Sequence, residues 1–393
     1  MRHLPVAYSV RNVLARPTRS LMTAAVIALV VVACTLLLGL IGSLRRTLIS
    51  SGDPRNLVVM RKGSDNDGSS QVTLEAYQAI RFFDGIARDA ADQPLVSPEL
   101  VVQPFIRRAS GGRENVLVRG IEPMAFRVHS EVRIAAGRML VPSAGEALVG
   151  RGLLGRYEGA EIGGELRFGR GRWRVVGVLE AGGSSFESEI WVDARELARD
   201  AKRPFPYSGI RVRTASPGDM AALRRRIDAD PRYALEAKPE VEYYASQAES
   251  AHVLYVLVAG VALLAGIGAG FGAANTMYAS VQARTAEIGT LRALGFSRRA
   301  ILRAFEIEAA ALGVAGFALG AVVSVALAAA VRHGLGGVGF SARTFTTNVI
   351  ALHVAPSDLA IAAALAVLVG VTGGIAPAYR AARLRPIEAL RRA

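Results

Sequence analysis

ARTAEIGTLRALGFSRRAILRAFEIEA, residues Ala283–Ala309, carries five arginines and three glutamates and lies between two long apolar runs. Upstream, 34 residues without a formal charge separate Glu249 from Arg284; downstream, 23 separate Glu308 from Arg332. Two more such stretches, of 25 residues between Arg19 and Arg45 and 21 between Asp358 and Arg380, complete a set of four. Each supplies about the 20 residues that a bilayer-crossing helix needs. The chain of 393 residues is 51% apolar with a mean hydropathy of +0.31, which places it among membrane proteins.

The charges orient the four spans. The segments 1–19, 282–306 and 379–393 together hold 14 arginines and three glutamates, which is eleven of the fourteen net positive charges. The positive-inside rule puts both termini and the charged loop in the cytoplasm. The basic excess then answers to topology and anionic lipid, so a nucleic-acid partner is not expected. The division expected is a cytoplasmic segment 1–20, spans at 21–44, 252–281, 307–331 and 357–378, a coupling segment 282–306, a short outer loop 332–356 and a cytoplasmic tail 379–393. The first span is too long for a signal peptide and three more follow it. The single cysteine, Cys34, lies inside that span and reads as a small packing residue.

Residues 45–251 have the size of a folded domain. NLVVM (56–60), VLVRGI (116–121), GELRFGRGRWRVVGVLE (164–180) and SEIWVDA (188–194) read as strands, with Gly169 and Gly171 at a hairpin turn. TLEAYQAIRFFDGIARDAA (73–91) and DMAALRRRID (219–228) read as amphipathic helices, and 240–251 as a helical stalk. GSDNDGSS (63–70) reads as a solvated, mobile loop and GGSSF (182–186) as a flexible hairpin tip.

No reactive constellation emerges. There is no GxxxxGK[ST], HExxH or GxSxG, and the five histidines are scattered. The spans are read as holding no buried charge, which leaves an ion or proton relay without support. The glycine pairs Gly266/Gly270, Gly316/Gly320 and Gly370/Gly374 recur at a spacing that lets helix backbones approach closely.

Within the opening stretch, Ile288, Leu291 and Leu294 recur every third residue and suggest the apolar stripe of a short helix. Gly295 stands where such a helix would end, and Ser297 can cap the next one, which runs into span three. Glu287, Arg292 and Arg298 are expected on the exposed face.

These residues carry a resemblance. ARTAEIGTLRALGFSRRAI is similar to the coupling segment of the FtsX-type permeases of ABC transporters, the MacB and LolC/LolE superfamily, with its R-x-x-E-I-G-x-L-R-A-x-G core. PAYRAARLRPIEALRR (377–392) resembles that family's C-terminus, VRGIEP, AAGRML and WRVVGVLE resemble its periplasmic domain, and AYSVRNVLARPTRSLMTAAVIALVV fits the entry to span one. The resemblance implies four transmembrane helices plus an α+β extracytoplasmic domain between the first two, the type VII ABC permease architecture. That domain would divide into a base (about 45–105 and 206–240) and an inserted lobe (about 106–205). It further implies a second permease copy, in a homodimer or heterodimer, and a cytoplasmic ATPase on another chain that holds ATP and Mg, as in the LolCDE and FtsEX arrangements. Glu287, Ile288, Gly289, Leu291, Arg292, Gly295, Arg298 and Arg299 would seat in that ATPase. The function implied is coupling of ATP hydrolysis to motion of the outer domain, acting on lipid, lipoprotein, peptide or drug, with a periplasmic adaptor among the possible partners. The alternative is a transmembrane signal transmitter that activates a cell-wall hydrolase. No catalysis, cofactor or metal is expected on this chain.

Overall fold

The computed structural model describes residues 17–203, 205–249, 251–334, 338–341 and 347–383. The chain forms two compact units. One is helical and is built from Val253–Val331 with the segments up to Gly42 and from Leu352; the other comprises Ser43–His252 and Arg332–Ala351.

Among the described residues, four helices are long and apolar enough to cross a membrane: Ser20–Ile49, Tyr255–Ala283, Arg298–His333 and Pro356–Ala382. Small residues set their spacing. A Cβ added at Gly316 would stand 2.7 Å from Ile27 Cβ, and one at Gly320 2.6 Å from Val31 Cγ1, so the third span lies directly on the first. A Cβ added at Gly370 would stand 2.7 Å from the Ala309 carbonyl and one at Gly374 2.5 Å from the Ala309 Cβ, which brings the fourth span onto the third. Gly266 is looser, with Val369 at 3.5 Å, and Gly270 has nothing within 4 Å of an added Cβ. Gly270 matters through its carbonyl, which comes within 2.8 Å of the Cβ position of Gly373. Gly313 and Gly373, absent from the spacing argument, are packed as tightly as the residues it selected.

The outer unit is built on one ten-stranded mixed sheet. Its strands are β1 (Asn56–Arg61), β2 (Val96–Val102), β5 (Leu117–Ile121), β6 (Arg133–Gly137), β7 (Glu146–Gly150), β8 (Glu165–Phe168), β9 (Gly171–Glu180), β10 (Glu189–Asp193), β11 (Gly209–Arg213) and β12 (Leu235–Pro239). A separate hairpin is formed by β3 (Phe105–Arg107) and β4 (Arg113–Asn115). The order is β12-β1-β11-β2-β5-β10-β7-β9-β6, with β8 on β9. The strands placed in a base and those placed in an inserted lobe therefore share one sheet, and β2 is where they meet. Its residues Val96–Glu99 pair with β11, and Leu100–Val102 pair with β5. Each side keeps an apolar core, Leu57, Val59, Ile210 and Leu223 on one and Val118, Val149, Trp173 and Ile190 on the other. A third core, with Val58, Met60, Leu148, Trp191 and Tyr243, takes residues from both.

Three local expectations are corrected. The helix at 73–91 stops at Ile80: Thr73 caps it, but Gly85 adopts φ +85 and Ala87 then pairs with Arg213 and Leu95 as extended backbone. Burial of Ile80 and Ile86 on opposite sides of that turn outweighs helix periodicity. The helix at 219–228 starts two residues earlier, at Pro217, with Ser216 as its cap. GGSSF is no flexible tip, since Ser185 and Phe186 are buried and Ser185 Oγ lies 2.8 Å from Ser51 Oγ.

The 332–356 loop is also more than a connection. It forms a hairpin of β13 (Val338–Ser341) and β14 (Thr347–Ile350) that belongs to the outer unit. Val349 N–H donates to Ser188 Oγ at 2.9 Å, and its side chain packs on the apolar core around Val149.

Candidate functional site

The charged stretch folds as a short helix, Thr285–Ala293, between the helices Ala251–Ala283 and Arg298–Gly334. It ends in a Schellman motif: Phe296 N–H donates to Leu291 O at 3.2 Å and Gly295 N–H to Arg292 O at 3.2 Å. Gly295 supplies the left-handed residue, φ +89. Ser297 Oγ then accepts from Ala300 N–H at 3.1 Å and starts the third span. The glycine break and the serine cap follow directly from residue chemistry.

The facing of the helix differs from the three-residue stripe. Ile288 and Gly289 are buried and Leu291 is half-buried against a cluster of Val281, Ile301, Phe305, Ala309 and Ala378. Leu294 is 60% exposed. A repeat of three falls about 60° behind a helix of 3.6 residues per turn at each step, so Leu294 has rotated off the packed face. Arg292 is also turned inward, where its guanidinium donates to Phe296 O at 2.9 Å. The exposed stripe is Glu287, Thr290 and Leu294, followed by Gly295, Arg298 and Arg299.

Two residues of this site escaped the sequence reading. Arg284 lies at the break between helices, with φ −122 and ψ 17, and its side chain is buried. Its NH1 donates to Glu308 Oε2 at 3.1 Å and its Nε to Glu287 Oε2 at 3.0 Å, while Phe305 lies 5.5 Å beneath the guanidinium. Glu308 is buried as well and stands ten residues inside the third helix. The expectation of spans without a buried charge is thus corrected at Glu308, which lies within the expected span 307–331 and is tolerated there because Arg284 pairs with it. The available signal was that Arg284 and Glu308 are the charges flanking the two runs nearest each other.

The outer unit holds a second polar constellation. Arg119 on β5 pairs with Glu189 on β10 at 2.7 Å, with Glu99 on β2 at 2.7 Å and with Asp67 at 3.5 Å. Arg211 on β11 pairs with Asp67 at 2.8 Å and with Glu240 at 3.3 Å. His129 Nε2 lies 2.7 Å from Glu99 Oε1. All are buried, on both sides of the partner switch in β2. The 63–70 segment is therefore not solvated throughout: Gly63, Asp65 and Ser69 are exposed, but Asp67 is an inner member of this network and accepts from Tyr243 Oη at 2.9 Å. Burial opposes ionisation of Glu99, yet His129 and the two arginines hold its carboxyl well below the usual range. Burial likewise opposes charge on His129, and Glu99 outweighs it and pushes the imidazole up.

The chain matches the MacB-like periplasmic core domain over residues 20–230 and the FtsX-like permease C-terminal domain over residues 259–386. It is 28% identical over 341 residues to the macrolide export ATP-binding/permease protein MacB of Hahella chejuensis, covering 81% of this chain and 48% of that one. It is 34% identical over 176 residues to the protein of that name from Nitrobacter winogradskyi, covering 44% and 24%. It is 29% identical over 248 residues to the pyoverdine export ATP-binding/permease protein PvdT of Pseudomonas entomophila, covering 58% and 35%. The chain spans no more than about half the length of these curated relatives. Among solved structures, the periplasmic region of MacB from Actinobacillus actinomycetemcomitans aligns with 11% identity and a TM-score of 0.37, covering 49% of this chain and 92% of that one. The extracellular domain of YknZ from Gram-positive bacteria aligns with 17% identity and a TM-score of 0.35, covering 47% and 99%.

Proposed function

The chain belongs to the MacB/FtsX-type permeases of ABC transporters, and on that premise we propose that it couples ATP hydrolysis by a cytoplasmic ATPase on another chain to motion of its outer unit. It works as a pair of permease copies in a bacterial cytoplasmic membrane, with both termini inside and the large unit outside. ATP and Mg are held by the ATPase, and the cargo is a lipid, lipoprotein, peptide or drug delivered on the outer side, with an adaptor there as a further partner.

One observation carries this reading. Between two spans that pack closely on their neighbours, the chain builds a short helix with a firmly seated inner face and an outer face of Glu287, Thr290 and the bare side chain of Leu294. An exposed leucine flanked by charge at a turn outside the apolar zone suits a cleft on a soluble subunit. The topology is supported independently of charge. The connections after spans one and three belong to one folded unit, and two crossings separate them. The test is to purify the permease with its ATPase in nanodiscs and to measure ATP turnover with lipids, lipoproteins, peptides and macrolides added in turn. Stimulation by one class assigns the cargo. An ATPase that neither copurifies with the chain nor changes its rate when joined to it overturns the proposal.

A further inference from the structure

We infer that Arg284 is a clasp which fastens the short helix to the third span, so that the two elements move as one lever. Resting on the coupling reading above, this names the residues that would transmit the displacement.

The short helix is joined to the third span through Leu294–Gly295–Phe296–Ser297. Gly295 has left-handed backbone with open space around it, and a single covalent joint of that kind acts as a swivel. The apolar seat of Ile288 and Leu291 on the span is non-directional, so a push on the exposed end of the helix could still turn it about Gly295 across that seat. The clasp removes that freedom. Glu308 stands ten residues beyond Arg298, about 15 Å along the helix axis at the α-helical rise. The short helix thus has a covalent joint to span three, an apolar seat on its Ile301, Phe305 and Ala309, and the ionic tie at Glu308. The tie adds a directional attachment away from the joint, and together they convert a push into a tilt.

The chemistry of the joint suits this role. Arg284 belongs to neither flanking helix, yet its guanidinium reaches Glu287 on the short helix at 3.0 Å and Glu308 on the span at 3.1 Å, over the Phe305 ring. Arginine can serve two carboxylates at once because its donors diverge in a fixed plane. Burial of Arg284 and Glu308 excludes the water that weakens exposed pairs. Glu287 is thereby engaged inside the protein although its side chain is 45% exposed, so its part in docking cannot be separated from its part in the clasp by deletion alone.

Nitroxide labels at Thr290→Cys and Arg303→Cys, both exposed positions, in a Cys34→Ser background report the spacing of the helix and the span in the full chain without any ATPase. The Glu308→Gln variant is expected to broaden the distance distribution, and the charge exchange R284E/E308R to narrow it again. Should Glu308→Gln fail to fold, Arg284→Lys keeps the charge but loses the two-carboxylate geometry and is expected to broaden the distribution as well. A distribution unchanged in both variants overturns the clasp. ATP turnover with the ATPase is read in parallel, with a loss of about five-fold or more expected for Glu308→Gln, within the range that mutations along a coupling route produce. Broadened distances with unaltered turnover support the clasp and count against the coupling reading. Unaltered distances with turnover abolished by Leu294→Asp overturn the clasp and leave the coupling reading standing.

Discussion

Arg119 and Glu189 face each other across the parallel strands β5 and β10 in a two-pronged ion pair, Nε to Oε2 and NH2 to Oε1, each at 2.7 Å. Trp191 Nε1–H donates to the same Glu189 Oε2 at 2.9 Å. The pair sits one strand away from β2, where the sheet changes partners, and Arg119 also holds Glu99 on β2 itself. Charges thus join the two halves of the outer unit where a purely apolar seam would pack without direction, and the fixed geometry of guanidinium and carboxylate gives that seam one register.

Removing Arg119 is expected to cost the outer unit about 3–5 kcal/mol, because Glu99, Glu189 and Asp67 would be left buried without their shared partner. Both tryptophans of the chain, Trp173 and Trp191, lie in the outer unit, so tryptophan emission of the full-length protein follows that unit alone. Arg119→Leu should lower its melting temperature by roughly 6–20 °C, at about 2–4 °C per kcal/mol for a unit of this size. A melting temperature equal to that of the parent would show that the network does not contribute net stability.

His129 makes the same unit sensitive to pH. Its ring is buried against Phe186 and Trp191, with Glu99 at 2.7 Å, Glu131 at 4.0 Å from Nδ1, and Arg119 and Glu240 also acting on it. With the folded-state value raised, the stabilisation is complete below the ordinary imidazole value and is lost as pH rises through the folded one. Glu99 behaves in the opposite sense: its contribution is present above the ordinary carboxyl value and is lost as pH falls through its depressed one. The tryptophan-detected melting temperature should therefore decline on both sides of mildly acidic pH. In His129→Gln the decline on the alkaline side should disappear, and an unchanged slope there would assign it to another group.

The contrast between these charges and the spans shows where the sequence was transparent. Span positions follow from long uncharged runs, which leave few alternatives. The break at Gly295 and the cap at Ser297 follow from local backbone chemistry, and the β8–β9 hairpin from Gly169 and Gly171. Arg119 and Arg211 were opaque for a physical reason. Each sits within a short strand whose alternation also permits an outward charge, and only the tertiary partners Asp67, Glu99 and Glu240, far away in sequence, decide that they point inward. Asp67 is the mirror case, since SDND reads as solvent-loving until Arg211 and Tyr243 arrive from residues more than 140 positions later. Leu294 failed through periodicity, because a stripe of three approximates a helical face for one step but not for two.

Gly320 tests the packing of spans one and three. A Cβ there would meet Val31 Cγ1 at 2.6 Å and the Ala28 carbonyl at 2.9 Å, and the carbonyl cannot move without shifting a helix. Gly320→Ala should cost about 1–3 kcal/mol, the usual penalty for overpacking. Gly268→Ala is the matched control, since nothing lies within 4 Å of its Cβ position. Heating the detergent-solubilised protein and measuring the monodisperse fraction by gel filtration should separate the two variants. Equal losses would mean that close approach at Gly320 is not what holds these spans.

Gly295 isolates backbone strain from packing. At φ +89 with no atom within 4 Å of its Cβ position, a side chain there would meet no neighbour and only an unfavourable backbone. Gly295→Ala should cost about 1–2 kcal/mol and Gly295→Asn less, since asparagine tolerates left-handed geometry. Hydrogen exchange over 285–297 is the measurement, with faster exchange of the Phe296 and Gly295 amides expected in the alanine variant. Identical protection in both variants would indicate that the Schellman bonds are not limiting.

Leu294 separates docking from folding more cleanly than the residues inside the short helix. Leu291 belongs to the packed cluster, so its truncation removes buried contacts and disturbs the seat of the helix. Glu287 is engaged with Arg284, so its removal loosens the break. Leu294 is 60% exposed, and exchange for aspartate there should change the stability of the chain by no more than about 0.5 kcal/mol. If the ATPase seats on this end of the helix, Leu294→Asp places a charge where an apolar anchor was needed, and ATP turnover stimulated by the permease should fall about ten-fold or more. Copurification of the ATPase should weaken in step, because the same contact serves both. A Leu294→Asp protein that binds and stimulates the ATPase like the parent would place the docking surface elsewhere, on Arg298, Arg299 or beyond the described residues.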